Sequence, residues 1–110
     1  MQVSYEQFEK IDIRVGRIIR ADDFPKARKP AYRLLVDFGP LGIKRSSAQI
    51  TALYRKEELV GKLIIAVVNF PPRQIADFIS EVLILGVVLD SERVVLIEPD
   101  REVPLGKRIL

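Results

Sequence analysis

Apolar and polar residues alternate along two stretches in the first half of the chain, residues 11–15 and residues 32–38. A period of two places one set of side chains on a single face, so each stretch predicts a half-buried β-strand. Ile18 lies on the opposite parity to the apolar residues of the first stretch. Because Gly16 stands between them, we expect a bulge or a sharp bend at this glycine.

Two uninterrupted apolar runs, at residues 63–68 and 82–89, predict buried strands. A turn rich in Gly and Pro precedes residues 43–47, which predicts a hairpin strand at that position. A short polar loop follows the second apolar run and leads into residues 94–97. These features predict a strand-rich chain whose neighbouring strands are joined by short turns.

Helical signals are confined to two places. Ser4 and Gln7 fit a capping box, which predicts a short helix over residues 5–10. Apolar residues at helical spacing between positions 48 and 59, followed by Gly61, predict a second helical element.

The order of these elements predicts the architecture. Five principal strands, a glycine within the first of them and a helical element between the third and fourth fit a five-stranded OB-type β-barrel with a short N-terminal helix, in the all-β class. A two-layer α+β arrangement is the alternative. The sequence has 110 residues and no linker-like stretch, so we expect a single domain covering residues 1–110.

Composition narrows the chemistry. The sequence contains no Cys, which removes disulfides, thiolate metal sites and a thiol nucleophile. It also contains no His, the commonest general base near neutral pH and the commonest metal ligand. We therefore expect a binding protein that is not an enzyme, with no metal and no cofactor.

Charge is unevenly distributed along the chain. The net charge is +3, yet residues 26–62 hold nine Lys or Arg against three acids. Such a basic half can attract RNA or acidic proteins, and an ordinary solvated surface is the alternative. The first ten residues are polar and charged, and the apolar runs are shorter than the ~18 residues that suggest a membrane span. We expect a cytoplasmic location.

The segment between the fourth and fifth principal strands, residues 69–81, mixes an amide, a guanidinium, a hydroxyl and a carboxylate with large apolar side chains. Mixed loops at the rim of a barrel are common binding sites. The alternative is a structural loop whose two phenylalanines plug the end of the barrel. The candidate binding residues of this segment are Asn69, Phe70, Arg73, Ile75, Phe78, Ser80 and Glu81.

Several motifs carry a resemblance to a known family. Residues 8–16 resemble the opening of the tRNA-binding OB domain of methionyl-tRNA synthetases and structure-specific tRNA-binding proteins, and Asn69, Arg73 and Ser80 match that domain's Asn-x-x-x-Arg-x-x-x-x-x-x-Ser spacing. Within this group the chain is most similar to CsaA-type secretion chaperones. The motifs that carry the closer similarity lie at residues 23–25, 27–32, 46–51, 69–76 and 80–83.

The resemblance implies a homodimer, formed with help from both terminal extensions, that binds unfolded or export-destined polypeptides. In such a role it would hold preproteins unfolded and pass them to the secretion translocase. We expect apolar pockets near Phe70, Ile75 and Phe78 to take extended, partly basic segments such as export signals. Glu81 and Asp77 would then accept hydrogen bonds from the Lys or Arg of those segments.

The alternative function is structure-specific tRNA binding, in which Arg33, Lys44, Arg45 and Arg73 would contact phosphates. Four positions depart from the tRNA-binding pattern, where that family tends to have Arg, Gly, Gly and Met. The departures lose one basic contact, gain an acid and make the loop more apolar, so they favour a polypeptide ligand. The four residues are Ala76, Asp77, Val82 and Leu83.

Overall fold

The computed structural model describes all residues, 1–110. In chain order the elements are α1 (Tyr5–Glu9), β1 (Ile13–Asp23), β2 (Tyr32–Asp37), a 3-10 turn (Gly39–Leu41), β3 (Ile43–Ala48), α2 (Lys56–Leu59), β4 (Leu63–Val67), β5 (Arg73–Ile75), β6 (Phe78–Ser80), β7 (Leu83–Ile84), β8 (Gly86–Val88), β9 (Val94–Leu96) and β10 (Arg108–Ile109). No helix is long and apolar enough to cross a membrane.

One antiparallel sheet organises the molecule. Its strands follow the order β3-β2-β1-β4-β7, and β10 pairs with the beginning of β1. Two separate hairpins, β5–β6 and β8–β9, complete the strand content. The sheet curls into a nearly closed barrel, which confirms the predicted OB-type fold with a short N-terminal helix and a helical turn between β3 and β4.

The sheet buries side chains on both faces. The inner face holds the larger core, which includes Ile18, Leu34 and Phe38. On the outer face, α1 and the C-terminal segment cover a second, smaller cluster around Val15 and Ile65. All five residues of β4 are therefore buried, because alternate side chains enter different cores. This double burial explains the apolar run, and the predicted buried strand is confirmed as β4, which ends at Val67.

Gly16 has a packing role, and the prediction of a bulge at this position is wrong. A Cβ on Gly16 would lie 2.6 Å from Val36 and 2.7 Å from the Phe38 ring, so the missing side chain leaves room for both in the inner core. The change of parity arises because Val15 faces the outer cluster and Ile18 the inner one. The irregularity in the pairing of β1 with β2 lies further along, between Ile18 and Arg20.

Three other local predictions differ from the structure. Residues 69–81 are not one loop, because they contain the β5–β6 hairpin. Residues 82–89 are not one buried strand: they divide into β7 and β8, and Val88 is 72% exposed. The second helical element is only the short α2, and Tyr54, which precedes it, accepts a hydrogen bond at its backbone oxygen from the Tyr32 hydroxyl at 2.7 Å.

Closure of the barrel depends on β3 and residues 80–82, which we call the closing seam. The backbone N–H of Glu81 donates to the carbonyl oxygen of Arg45 at 2.8 Å. Two N–H groups of β3 donate to side chains, that of Arg45 to Glu81 Oε1 at 3.0 Å and that of Ser47 to Ser80 Oγ at 3.0 Å. Ser46, fully buried, donates to the carbonyl oxygen of Val82 at 3.2 Å. Side chains thus accept hydrogen bonds from backbone N–H groups at the edge of β3, which would otherwise be unpaired.

The charge on Glu81 is held by this seam. Burial acts to raise the pKa of the Glu81 carboxyl, but the backbone N–H of Arg45 and its guanidinium outweigh burial. The net effect places the pKa of Glu81 below its ordinary value. The carboxylate is therefore ionised at neutral pH and bound to its partners.

Replacing this carboxylate gives a pH-dependent effect on stability. Because the pKa of Glu81 is lowered by folding, its charge stabilises the protein above the ordinary value of 4.5, and this contribution is lost as the pH falls below it. Glu81→Gln keeps an acceptor for the Arg45 N–H but has no charge. We expect urea unfolding to show a larger stability deficit for Glu81→Gln at pH 7 than at pH 3.

Glu92→Gln, in the exposed loop between β8 and β9, is the matched control and should show a similar deficit at both pH values. An equal deficit for Glu81→Gln at the two pH values would contradict a charged role in the seam.

Candidate functional site

A cleft of about 600 Å³ opens beside the closing seam. It lies between the β5–β6 hairpin, the chain that leaves β3 and the β8–β9 hairpin. Its polar side chains are few, and most of its lining is aliphatic. Concave surfaces of this size and composition are typical of ligand sites.

The floor of the cleft belongs to the barrel core. Ile50, Val82 and Leu96 contribute to it and are each less than 10% exposed. Val88 and Val94, which pair across the β8–β9 hairpin, form one wall. None of these five residues was predicted from the sequence to belong to the site. The apolar run at residues 94–97 was the available signal, but the contact between this hairpin and the distant residue Ile50 is set only by the fold.

The β5–β6 hairpin forms the opposite wall and places Arg73 and Ile75 on it. Its two-residue turn begins at Ala76, whose φ of 53° is in the left-handed region. The Gln74 side-chain amide donates to the Ala76 carbonyl oxygen at 3.1 Å and supports the turn. Cross-strand pairing sets Arg73 opposite Ser80, so both side chains share the face that lines the cleft.

The two phenylalanines of the segment occupy different surroundings. Phe70 lines the cleft and is 47% exposed. Phe78 lies outside the lining, and its ring meets the ring of buried Phe24 edge-on at 5.5 Å. Phe70 is therefore available to a ligand, whereas Phe78 anchors the hairpin to the barrel.

Two of the candidate polar residues, Ser80 and Glu81, line the cleft but are already engaged by the closing seam. The guanidinium of Arg45 also pairs with Glu81 at 3.3 Å. Lys44 is half-buried on β3 and does not line the cleft. Ser80, Glu81 and Arg45 hold the barrel closed and leave little free acceptor capacity at the cleft.

Asn69 acts as a link between distant segments. Its side-chain oxygen accepts from the N–H of Asp12 at 2.9 Å, and its amide nitrogen donates to the carbonyl oxygen of Lys10 at 2.8 Å. The residue thus ties the end of β4 to the chain between α1 and β1. It lies outside the lining of the cleft.

Basic residues flank the hairpin on its other side. Arg33 donates to the carbonyl oxygen of Asp23 at 3.0 Å, and its guanidinium lies 5.6 Å from the centre of the Phe24 ring. Lys26 pairs with Asp77 of the hairpin turn at 2.8 Å, and the hydrogen bond from Lys26, together with its charge, holds the pKa of Asp77 below its ordinary value.

Three further bases near the hairpin have no acidic partner. Arg28 and Lys29 are exposed and follow Lys26 in the same loop, and Arg73 is exposed at the cleft. None of the three takes part in an ion pair or a side-chain hydrogen bond, unlike Lys26 with Asp77. The unpaired charge around the hairpin is therefore positive.

The structure therefore brings five of the ten candidate residues to one surface and leaves five elsewhere. Those in the cleft are Phe70, Arg73, Ile75, Ser80 and Glu81. Those outside it are Arg33, Lys44, Arg45, Asn69 and Phe78. No group of three or more acidic side chains is placed to hold a metal ion. The arrangement offers an aliphatic surface, one free guanidinium and one exposed aromatic ring.

Comparison with known families gives a match over most of the chain. The family model described as "Putative tRNA binding domain" matches residues 13–108. The methionine–tRNA ligase of Thermococcus kodakarensis is 37% identical over 107 residues, which cover 97% of this chain and 14% of that protein. That of Methanocaldococcus jannaschii is 33% identical over 98% of this chain and 16% of its own length. The chain spans about a seventh of these curated relatives.

Solved structures match over the full barrel. The CsaA chaperone of Bacillus anthracis is 49% identical with a TM-score of 0.96, covering 100% of both chains. The CsaA chaperone of Picrophilus torridus is 55% identical with a TM-score of 0.91, covering 99% of this chain and 100% of its own. A protein of Pyrococcus horikoshii related to methionyl-tRNA synthetase is 28% identical with a TM-score of 0.88, covering 100% and 99%. The chain belongs to the tRNA-binding domain family, as a CsaA-type OB domain.

Proposed function

We propose that this domain is a chaperone of the CsaA type that binds unfolded, export-destined polypeptides and assists their secretion without catalysing a reaction. The observation that carries the proposal is the aliphatic cleft of about 600 Å³ with Phe70 exposed at it. An apolar concavity with few polar groups suits the apolar side chains that an unfolded chain exposes. The absence of His and Cys also favours binding over catalysis.

In this role the domain holds a preprotein unfolded in the cytoplasm and releases it to the secretion translocase. Ordering an unfolded client offsets several kcal/mol of the contact energy, so we expect modest affinity. Modest affinity suits a holding factor, because the client must leave again.

A homodimer is part of the proposal, and the β8–β9 hairpin supports it. Val88 and Val94 face the cleft, so alternation turns the other set of side chains outward. This outward set forms an exposed aliphatic strip. Its members are Val87, Leu89, Val95 and Ile97, which are 51%, 53%, 37% and 39% exposed. Two copies of one such strip can pack together about a two-fold axis.

Structure-specific tRNA binding is the second candidate function. It is supported by membership of the tRNA-binding domain family and by the unpaired positive charge of Arg28, Lys29 and Arg73. Phosphate contacts supply most of the affinity of such surfaces and make it sensitive to salt.

The cleft is tested by removing its exposed aromatic ring. We expect Phe70→Ala to weaken binding of an unfolded preprotein by roughly three- to tenfold, since a ring that packs on a ligand contributes about 1 kcal/mol or more. Fluorescence anisotropy with a labelled, unfolded preprotein measures this. Leu41→Ala removes another exposed apolar side chain, from the 3-10 turn, and should leave affinity unchanged. Equal affinity of both variants and the parent protein would exclude the cleft as the binding site.

Salt dependence separates the two candidate functions. A tRNA complex should weaken steeply as salt rises, and replacing Arg28 and Lys29 together by Gln should reduce the slope of log affinity against log salt by roughly 1.4 to 1.8. A preprotein held by apolar contacts should show a shallow slope that the same double variant leaves unchanged. Titration of both ligands at several salt concentrations gives the slopes. A steep preprotein slope that depends on Arg28 and Lys29 would contradict binding in the aliphatic cleft.

The proposed dimer is tested through its aliphatic strip. We expect light scattering to give twice the mass of one chain for the parent protein and a single-chain mass for Val87→Asp, because a buried, unpaired charge is costly. Leu53→Asp alters an exposed aliphatic residue outside the strip and should remain dimeric. A single-chain mass for the parent protein would rule out the dimer.

A further inference from the structure

Only two charged side chains line the cleft, Arg73 and Glu81, and their surroundings differ. Glu81 is bound by the backbone N–H and the guanidinium of Arg45 at 3.0 and 3.3 Å. Arg73 is exposed and has neither an ion pair nor a side-chain hydrogen bond. The one charge of the cleft that is free to meet a ligand is therefore positive.

The other acid of the hairpin, Asp77, adds no free negative charge to the cleft. Asp77, in the turn of the hairpin, is paired with Lys26 at 2.8 Å and lies outside the cleft lining. A basic ligand side chain would have to displace Arg45 from Glu81 or Lys26 from Asp77. Such an exchange replaces one ion pair by another and gains little. The expectation that Glu81 and Asp77 accept hydrogen bonds from basic export segments is therefore not favoured by the structure.

The aliphatic surface next to Arg73 indicates which other groups the ligand carries besides an anion. Ile75 lies two residues along the same wall, and the floor contains Val82 and Ile84. A ligand that fills this space must combine an apolar side chain with a nearby anion. An extended polypeptide in which Asp or Glu lies close to Leu, Val or Ile meets both requirements.

RNA fits these surroundings less well. A surface that follows a phosphate backbone combines several bases with aromatic rings on which nucleobases stack. The lining holds one free base, Arg73, and one aromatic ring, Phe70. The bases Arg28 and Lys29 lie in another loop and are not part of the lining.

Building on the proposed polypeptide binding, we infer that the cleft selects aliphatic segments that carry acidic side chains, with the ligand carboxylate at Arg73. Arg73 is then a specificity-determining residue: it discriminates among unfolded segments, while the aliphatic surface supplies affinity for all of them. Segments rich in Lys or Arg bind more weakly, because they bring a second positive charge to Arg73.

Three short peptides test this inference. All contain Leu and Val interleaved with one polar residue type, which is Glu, Gln or Lys, and all are acetylated, amidated and fluorescently labelled so that only side chains carry charge. Anisotropy titrations use the intact protein at about 0.15 M salt. We expect affinity in the order Glu, Gln, Lys, with a difference of roughly three- to tenfold at each step.

Variants assign the preference to Arg73. Arg73→Gln should bind the Glu and Gln peptides equally while keeping the affinity of the parent protein for the Gln peptide. Arg73→Glu should prefer the Lys peptide. Arg101→Gln removes an exposed arginine of the C-terminal segment, whose side chain is 80% exposed, and should keep the order of the parent protein. Arg73 is exposed, so unchanged circular dichroism is expected for its variants.

The outcomes separate this inference from the function on which it rests. Equal binding of the three peptides to the parent protein would overturn the acidic preference and leave polypeptide binding standing. Failure of all three peptides and of an unfolded preprotein to bind would overturn both. If only tRNA binds and Arg73→Gln weakens tRNA binding, Arg73 contacts phosphates, and the acidic preference is again overturned.

Discussion

The closing seam is the constraint on which the rest of the structure depends. A curled sheet leaves two edges, and the N–H groups of β3 must find acceptors where no complete partner strand exists. Ser80 and Glu81 supply those acceptors from their side chains, and Ser46 bonds back to the same segment from inside the core. Because this segment follows directly from the β5–β6 hairpin, closing the barrel also positions one wall of the cleft.

Much of the barrel could be predicted from local patterns. The alternation at residues 32–38 and the capping box at Ser4 each involve neighbours in sequence, so physical rules of short range suffice for them. The β5–β6 hairpin was not predicted, because its strands are only three residues long. Its turn also has Ala76 at a positive φ, where glycine is usual. Short strands with mixed side chains carry too little periodicity to be recognised.

The candidate site was only partly predictable for a different reason. Asn69, Ser80 and Glu81 are polar residues in a segment of mixed polar and apolar side chains, and such a pattern results equally from ligand binding or from long-range hydrogen bonds. The structure shows that each bonds to a segment more than thirty residues away. Val94 and Leu96 were missed because their position at the cleft follows from a distant contact with the barrel. Neither these long-range hydrogen bonds nor this contact with the barrel can be read from the spacing of residues in the sequence.

The division between seam and lining has a consequence for how such domains diverge. Asn69 and Ser80 serve the backbone, so selection for folding alone is sufficient to retain them, whatever the domain binds. The side chains of Phe70, Arg73 and Val88 make no hydrogen bond to the backbone, so these residues can be exchanged at little structural cost. One inherited barrel can therefore acquire new ligands through a handful of replacements. Within the motif formed by Asn69, Arg73 and Ser80, the first and last residues therefore reflect the scaffold, whereas Arg73 reflects the ligand.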